Sequence, residues 1–335
     1  MKTENTTQKR IALLATGGTI ASTPGEHGYT PTLGAADLIR DIRFPCEIVP
    51  IDVFRLDSSN MQPEEWRVLA QAAHDALLTC DGAVITHGTD TMAYTASILS
   101  FMLAGVPKPV ILTGAQIPIG DPLSDARGNL RRAVAAALQP IRGVYVCFDQ
   151  KLIQGTRCVK THTTAIDAFS SINAPPAGYF DAEGIHIENP QPFTPSGILP
   201  DGYELRNTLD ANVFLMKLVP GTSPEVFRFI REAGYHGLVI EAFGLGGLHY
   251  IRRNLVEALR AFAQTDVHVM VVSQCLYEKA DLTVYEVGRG MMLEHVHSGR
   301  DMTTEAAVTK LMWALAQENT GALLNTSIVG EMKSE

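Results

Sequence analysis

The sequence predicts an α/β protein: a parallel sheet covered by helices on both faces, followed by a second, smaller α/β domain. Three observations carry this. Runs rich in Val and Ile stay apolar without alternation at 11–16, 83–86, 109–113 and 144–148, as strands buried on both faces require. Segments of helical periodicity lie between them, which is the βαβα grammar of α/β folds. At 188–210 the grammar stops, with Pro190, Pro192, Pro195 and Pro200 close together, and then resumes.

Taken in order, the first strand spans 11–16. A helix begins at Pro63, a favoured first-turn residue, and places Trp66, Leu69, Ala70, Ala73 and Leu77 on one face. A second runs from near Asp90 to Leu103, and a third over 124–138. Beyond the prolines, 212–218, 237–242 and 267–273 read as strands. Ser223-Pro224-Glu225 starts a helix that Gly234 stops. Later helices span 254–264 and 303–317. The expected division is 1–190, a linker at 191–210, and 211–335, consistent with two domains for 335 residues.

Composition narrows the function. The chain is 46% hydrophobic and 19% charged, enough for a substantial core. A net charge of −9 disfavours nucleic acid and anionic membranes as partners. Residues 1–10 are polar and lack the apolar core of a secretory signal. The apolar stretch 93–106 carries Tyr94, Thr95, Ser97 and Ser100 and is too short to span a bilayer. Five cysteines, an odd number with no CxxC pair, read as reduced and structural. The histidines show no ligand spacing. The expectation is a cytoplasmic protein with no metal and no cofactor.

In open parallel sheets, ligands bind beyond the carboxyl ends of the strands. Thr16-Gly17-Gly18-Thr19 follows the first strand, Thr86-His87-Gly88-Thr89-Asp90 the second, and Thr113-Gly114-Ala115-Gln116 the third. Glycines allow tight turns and close approach, and threonines supply hydroxyls. One such cluster is a helix cap; three at neighbouring strand ends make a site. The glycines match neither GxGxxG nor GxxxxGK[ST], so a nucleotide-binding oxidoreductase lacks its fingerprint. Thr19 and Thr89 are candidate nucleophiles, Asp90 a candidate anion, and a lysine the natural activator. Residue types alone do not choose that lysine. His87 and His162 are alternative bases or structural residues.

These motifs resemble the bacterial-type L-asparaginases. Ala15-Thr16-Gly17-Gly18-Thr19-Ile20-Ala21 and His87-Gly88-Thr89-Asp90-Thr91-Met92 match the family's two signature blocks in order and spacing. Asp57-Ser58-Ser59-Asn60-Met61 falls where the family has its substrate-binding serine segment. Thr113 to Pro118 and Lys160-Thr161-His162 are similar to two further blocks. Gln154-Gly155-Thr156-Arg157, Tyr285-Glu286-Val287-Gly288 and the segment from Lys310 to Leu315 look like the cytoplasmic type I branch.

The resemblance implies a larger Rossmann/flavodoxin-like N-terminal domain and a smaller C-terminal one, in the asparaginase/glutaminase-like arrangement. It implies hydrolysis of L-asparagine to L-aspartate and ammonia through an acyl-enzyme. Thr19 would attack, activated by Tyr29 on a mobile loop. Thr89, Asp90 and Lys160 would form a second trio, with Asp90 also holding the substrate's amino group. Asp57, Ser58, Ser59, Gly88 and Ala115 would line the substrate pocket. It further implies a homodimer or homotetramer whose site a neighbouring subunit completes, with Glu278, Asp281 and Glu286 as candidate acids in trans. Some type I members carry a regulatory asparagine site with an arginine where this chain has Glu241, a charge reversal that argues against that site; Cys275 matches a nearby cysteine.

Two other classes compete. A tRNA-dependent amidotransferase subunit would need an additional N-terminal domain, whereas this chain begins ten residues before its first strand. A silent amino-acid sensor would not need Thr19, Tyr29, Thr89, Asp90 and Lys160 together. Asparagine and glutamine differ by one methylene, worth only ~1–3 kcal/mol in a pocket.

Overall fold

The computed structural model describes residues 8–26, 28–190, 198–200, 202–284 and 293–333. They form two compact units. The first comprises Met1–Ser171, Pro175–Gln191 and Tyr203–Leu205; the second comprises Ile172–Ala174, Pro192–Gly202 and Arg206–Glu335. Pro192 and Pro195 of the proline-rich stretch lie outside the described residues, as do Tyr285, Glu286, Val287 and Gly288.

In the first unit, β1 (Arg10–Gly17) leads through a 3-10 turn at Thr19–Ala21 into a hairpin of β2 (Ser22–Gly25) and β3 (Gly28–Pro31). Then follow α1 (Ala35–Ile39), β4 (Glu47–Leu56), α2 (Pro63–Thr79), β5 (Gly82–Thr86), α3 (Met92–Met102), β6 (Pro109–Thr113), α4 (Ala126–Ala137) and β7 (Gly143–Phe148). The short strands β8 (Lys151–Gln154), β9 (Cys158–Lys160), β10 (Phe169–Ser171), β11 (Gly178–Asp181) and β12 (Gly184–Ile187) complete it.

Eight strands form one sheet in the order β12-β11-β8-β7-β6-β5-β1-β4. From β4 to β7 the strands are parallel. The last three are antiparallel. The register stacks Leu13, Val84, Ile111 and Tyr145 side by side. All four are buried, against Leu38 of α1 and Leu130, Ala133 and Val134 of α4. Side chains alternate across a strand, so Leu14, Ile85, Leu112 and Val146 occupy the other face, and they too are fully buried. That explains the unbroken apolar runs of the central strands.

Four strands of this sheet escaped the apolar-run criterion. β4 is half-exposed and contains Pro50. Its edge position tolerates both, because a proline there gives up no ladder bond if its nitrogen faces outward. β8, β11 and β12 have four residues each, and β11 alternates buried with exposed. The expected helix from near Asp90 starts at Met92, with Thr91 as its cap.

The second unit holds β13 (Val213–Lys217), α5 (Glu225–Glu232), β14 (Gly237–Ala242), α6 (Leu255–Phe262), β15 (His268–Ser273), β16 (Val296–Ser298), α7 (Thr304–Leu315) and α8 (Thr320–Asn325). Its four strands are parallel, in the order β13-β14-β15-β16. Leu238, Ile240, Val269 and Val271 pack with Phe227, Ile230, Leu259 and Phe262. Helix ends follow local chemistry. Asn254 accepts from the Glu257 N–H at 3.1 Å and Thr303 from the Ala306 N–H at 3.1 Å, which satisfies otherwise orphaned donors. Gly234, at φ +79°, ends the α5 segment.

Candidate active site

The carboxyl ends of β1, β4, β5 and β6 press together through glycines. A Cβ on Gly17 would strike the Leu56 backbone. One on Gly18 would strike Gly88, one on Gly88 the Ser58 side chain, and one on Gly114 the His87 carbonyl. Gly17 and Gly18 also hold φ of +103° and +78°, where side chains are strained. Hydrogen bonds join the same ends. The Gly18 N–H donates to Leu56 O at 2.8 Å, the Thr16 hydroxyl to Thr86 O at 2.8 Å, and the His87 N–H to Thr113 O at 2.8 Å.

Into this cluster the β9–β10 hairpin brings Lys160. Its Nζ donates to Thr89 Oγ1 at 2.8 Å and to Asp90 Oδ1 at 2.6 Å. Thr89 is buried and the Lys160 side chain nearly so, whereas the Asp90 side chain is 66% exposed. Thr89, Asp90 and Lys160 are therefore together, with one face of the carboxylate open to solvent. On the far side of Thr89, its hydroxyl lies 3.3 Å from Gln116 Oε1.

The serine segment forms a 3-10 turn at Ser58–Asn60. Asp57 caps it, accepting from the Ser59 hydroxyl at 2.7 Å and the Ser59 N–H at 2.8 Å. Those two bonds hold the Asp57 carboxyl below its ordinary value. Ser58 is buried beneath Gly88, and its carbonyl accepts from Thr91 Oγ1 at 2.8 Å. Ala115 is buried, and the two residues after it donate their N–H groups to Asp125. Thr19 opens the 3-10 turn after β1, half-buried. Tyr29 is on β3, the strand that lies against the Thr19–Ala21 turn; its side chain is 63% exposed, and among the described residues no hydrogen bond joins it to Thr19.

His87 is fully buried, with both ring nitrogens engaged away from Thr89, Asp90 and Lys160. The Trp66 indole N–H donates to Thr95 Oγ1 at 2.9 Å. The Thr95 hydroxyl then donates to His87 Nε2 at 3.0 Å, leaving Nδ1–H for Gly88 O at 2.7 Å. Burial lowers the imidazole pKa to about 4, against the Gly88 bond. His87 thus holds the Gly88 peptide rather than serving as a base. His162 is exposed and contacts Thr161.

In the second unit, Glu278 and Asp281 line a cavity of 1030 Å³ with Lys279, Arg300 and Asp301. Lys279 and Thr283 bind Asp281 and lower its pKa to about 2. Glu286 lies outside the described residues. Glu241 is engaged internally, by Thr304 Oγ1 at 2.6 Å and Lys217 Nζ at 3.2 Å. Cys275 is exposed. Among the described residues no group of three His, Cys, Asp or Glu is placed to hold a metal ion, and no helix is long and apolar enough to cross a membrane.

The arrangement supplies two half-buried to buried hydroxyls, a cation on one of them, and a carboxylate open to an incoming ammonium. That suits nucleophilic attack on a small zwitterionic amide.

Comparison with known proteins agrees. Residues 10–193 match the family model described as asparaginase, N-terminal, and 212–326 the model for the glutaminase/asparaginase C-terminal domain. The chain is 41% identical to the L-asparaginase of Thermococcus kodakarensis, over 96% of this chain and 99% of that protein. The solved structure of that enzyme superposes with a TM-score of 0.90 at 39% identity, covering 97% of this chain and all of that one. L-asparaginase I from Vibrio cholerae gives 0.84 at 32% identity over 98% and 100% of the two chains. A glutamyl-tRNA(Gln) amidotransferase subunit from Methanobrevibacter smithii is 35% identical over 98% of this chain and 78% of that protein.

Proposed function

The chain belongs to the asparaginase family, and from that premise we propose that it hydrolyses the side-chain amide of L-asparagine to L-aspartate and ammonia through a threonine nucleophile. The observation that carries the reading is the placement of the Lys160 ammonium on both Thr89 and Asp90.

Asp90 pairs with the substrate ammonium through its exposed face, while Ser58, Ser59 and the Gly88 and Ala115 backbone receive the carboxylate and amide. Thr19 Oγ1 attacks the amide carbon. Tyr29 assists once the β2–β3 hairpin closes over the site and excludes water. The hydroxyl proton passes to the leaving nitrogen, which departs as ammonia. Water, activated by the Thr89–Lys160 pair, then cleaves the acyl ester, releasing aspartate and restoring Thr19. Asp57 stays anionic through the Ser59 bonds and keeps the serine turn in shape.

The same reading makes the protein a cytoplasmic homo-oligomer, dimer or tetramer. Glu278 and Asp281 are the described candidates to act in a neighbouring subunit's site. The glutamate at 241, held by Thr304 and Lys217, favours an enzyme without a regulatory asparagine site.

Ammonia release from L-asparagine, then L-glutamine, tests this, with Thr19→Ala alongside. Thr19→Ala is expected to lose at least ~10³-fold in kcat with an unchanged unfolding midpoint. A wild-type rate from that variant removes Thr19 from the mechanism. A second reading, as part of an amidotransferase, follows from the 35% identity to the Methanobrevibacter smithii protein. Ammonia from asparagine in the absence of tRNA sets it aside.

A further inference from the structure

We propose that Gln116 is a positioning residue that sets the direction of the Thr89 hydroxyl proton and ties it to the loop that follows Lys160. This rests on the reading of Thr89 as part of the reacting machinery.

A glutamine amide has one acceptor oxygen and two N–H donors. Gln116 Nε2 spends both donors, on Thr163 O at 3.1 Å and Ala165 O at 3.0 Å. Two carbonyls cannot donate, so the amide cannot be flipped, and Oε1 is left facing Thr89 Oγ1 at 3.3 Å. On its other side Thr89 Oγ1 meets Lys160 Nζ at 2.8 Å. A charged ammonium has no lone pair. Thr89 therefore accepts from Lys160 and donates to Gln116, and its single proton has one place to go.

That decides how Thr89 is activated. While Lys160 is charged, the Thr89 proton is held on Gln116 and a lone pair of the oxygen faces the lysine. When Lys160 passes a proton to Asp90 Oδ1, 2.6 Å away, its new lone pair competes with Gln116 Oε1 for the hydroxyl proton. The amide sets how readily that exchange occurs, without touching the substrate.

The main chain that carries this side chain is anchored as well. The Gln116 and Ile117 N–H groups donate to the Asp125 carboxylate at 3.0 Å each, and Asn129 Nδ2 of α4 donates to the same group at 3.0 Å. Thr163 and Ala165 lie on the loop just beyond Lys160, so one side chain fixes the Thr89 hydroxyl and the approach of its lysine together. The charged and titratable groups around it are Lys160 and Asp90 beyond Thr89, Asp125 behind its backbone, His162 beside Thr163, and the Lys151–Asp167 pair further along the loop.

Two variants test this, each compared with wild type at every pH from about 4.5 to about 8. Gln116→Ala is expected to lower kcat by about tenfold throughout while KM moves by less than about twofold. Gln116→Glu keeps the size and the acceptor. As a carboxylate it turns bare oxygen toward two carbonyls, so its kcat relative to wild type is low at neutral pH. Once protonated, it offers one O–H donor and one acceptor, and the ratio rises as pH falls. Wild-type kcat in both variants, a loss confined to KM, or a Gln116→Glu loss that does not vary with pH overturns the proposal.

The contact is also read without turnover. A double-mutant cycle of Thr89→Val with Gln116→Ala, followed by urea unfolding, is expected to show coupling of about fivefold in the unfolding constant. Additive effects overturn the assignment. Absence of ammonia from wild type with coupling intact overturns the proposed reaction instead.

Discussion

Each unit of this molecule contains a lysine hydrogen-bonded to a carboxylate at 2.6 Å, and the two pairs are built for opposite ends. Lys310 and Glu331 are both fully buried. The ammonium also reaches Thr326 O at 2.7 Å, and the carboxylate accepts from the Ile328 N–H at 3.0 Å and the Val329 N–H at 2.9 Å. Burial alone would raise the Glu331 pKa, yet Lys310 and those N–H groups hold it below its ordinary value. Lys160 and Asp90 keep the same distance with the carboxylate 66% exposed and a threonine hydroxyl as the second partner. A pair with every valence satisfied can only hold chain segments together. A pair with an open face and a hydroxyl beside it can still meet a ligand.

The largest effect should come from breaking the open pair. Lys160→Met is expected to cut kcat for asparagine by ~10³-fold or more, while urea unfolding moves by less than about 1 kcal/mol because the carboxylate of the pair is in water. A variant that keeps turnover places the reacting groups elsewhere.

Breaking the sealed pair should do the reverse. Glu331→Gln strands a buried ammonium and is expected to cost about 3–5 kcal/mol of stability. In protein that remains folded, kcat should be unchanged. The double change Lys310→Met with Glu331→Gln should recover most of that loss, since the stranded ammonium is gone and the amide oxygen still accepts from the Ile328 and Val329 N–H groups. If the double variant is as unstable as the single one, the pair contributes more than its charge balance.

The smallest effect concerns pH. His87 has a native pKa of about 4 against an ordinary 6.5. The unfolded chain then binds more protons between those values, so stability falls as pH is lowered through that window and levels off below it. The loss should approach about 3 kcal/mol. Thermal unfolding of wild type and His87→Gln across the window reads it directly. Equal pH slopes in the two proteins would mean that His87 is not held neutral.

Much of this was legible in the residues. The apolar runs 83–86 and 109–113 coincide with β5 and β6, whose residues are all buried. The Thr/Gly clusters after β1, β5 and β6 do meet, and the glycines prove to be where the backbones touch. Asn254 and Thr303, read as helix starts, are side-chain caps. Less visible were β4 and the short antiparallel strands, whose exposed or proline-bearing sequences look like loops until an edge position explains them. Residue types left His87 ambiguous, and only its buried partners removed it from the bases. Gln116 sat within a quoted cluster without a role, because its function lies in which way its amide points.

What the sequence determined by itself is what local chemistry controls: unbroken apolar strands, helix starts and stops, and turns that only glycine permits. What the tertiary structure decided is every pairing between distant residues. Lys160 reaches Thr89 and Asp90 across 71 and 70 positions, and Tyr29 stands on an exposed hairpin. Those outcomes depend on sheet order and on which side chains are shielded from water. Neither is encoded in any short window of the chain, because hydrogen bonds and charges acquire their strength from surroundings that the whole fold supplies.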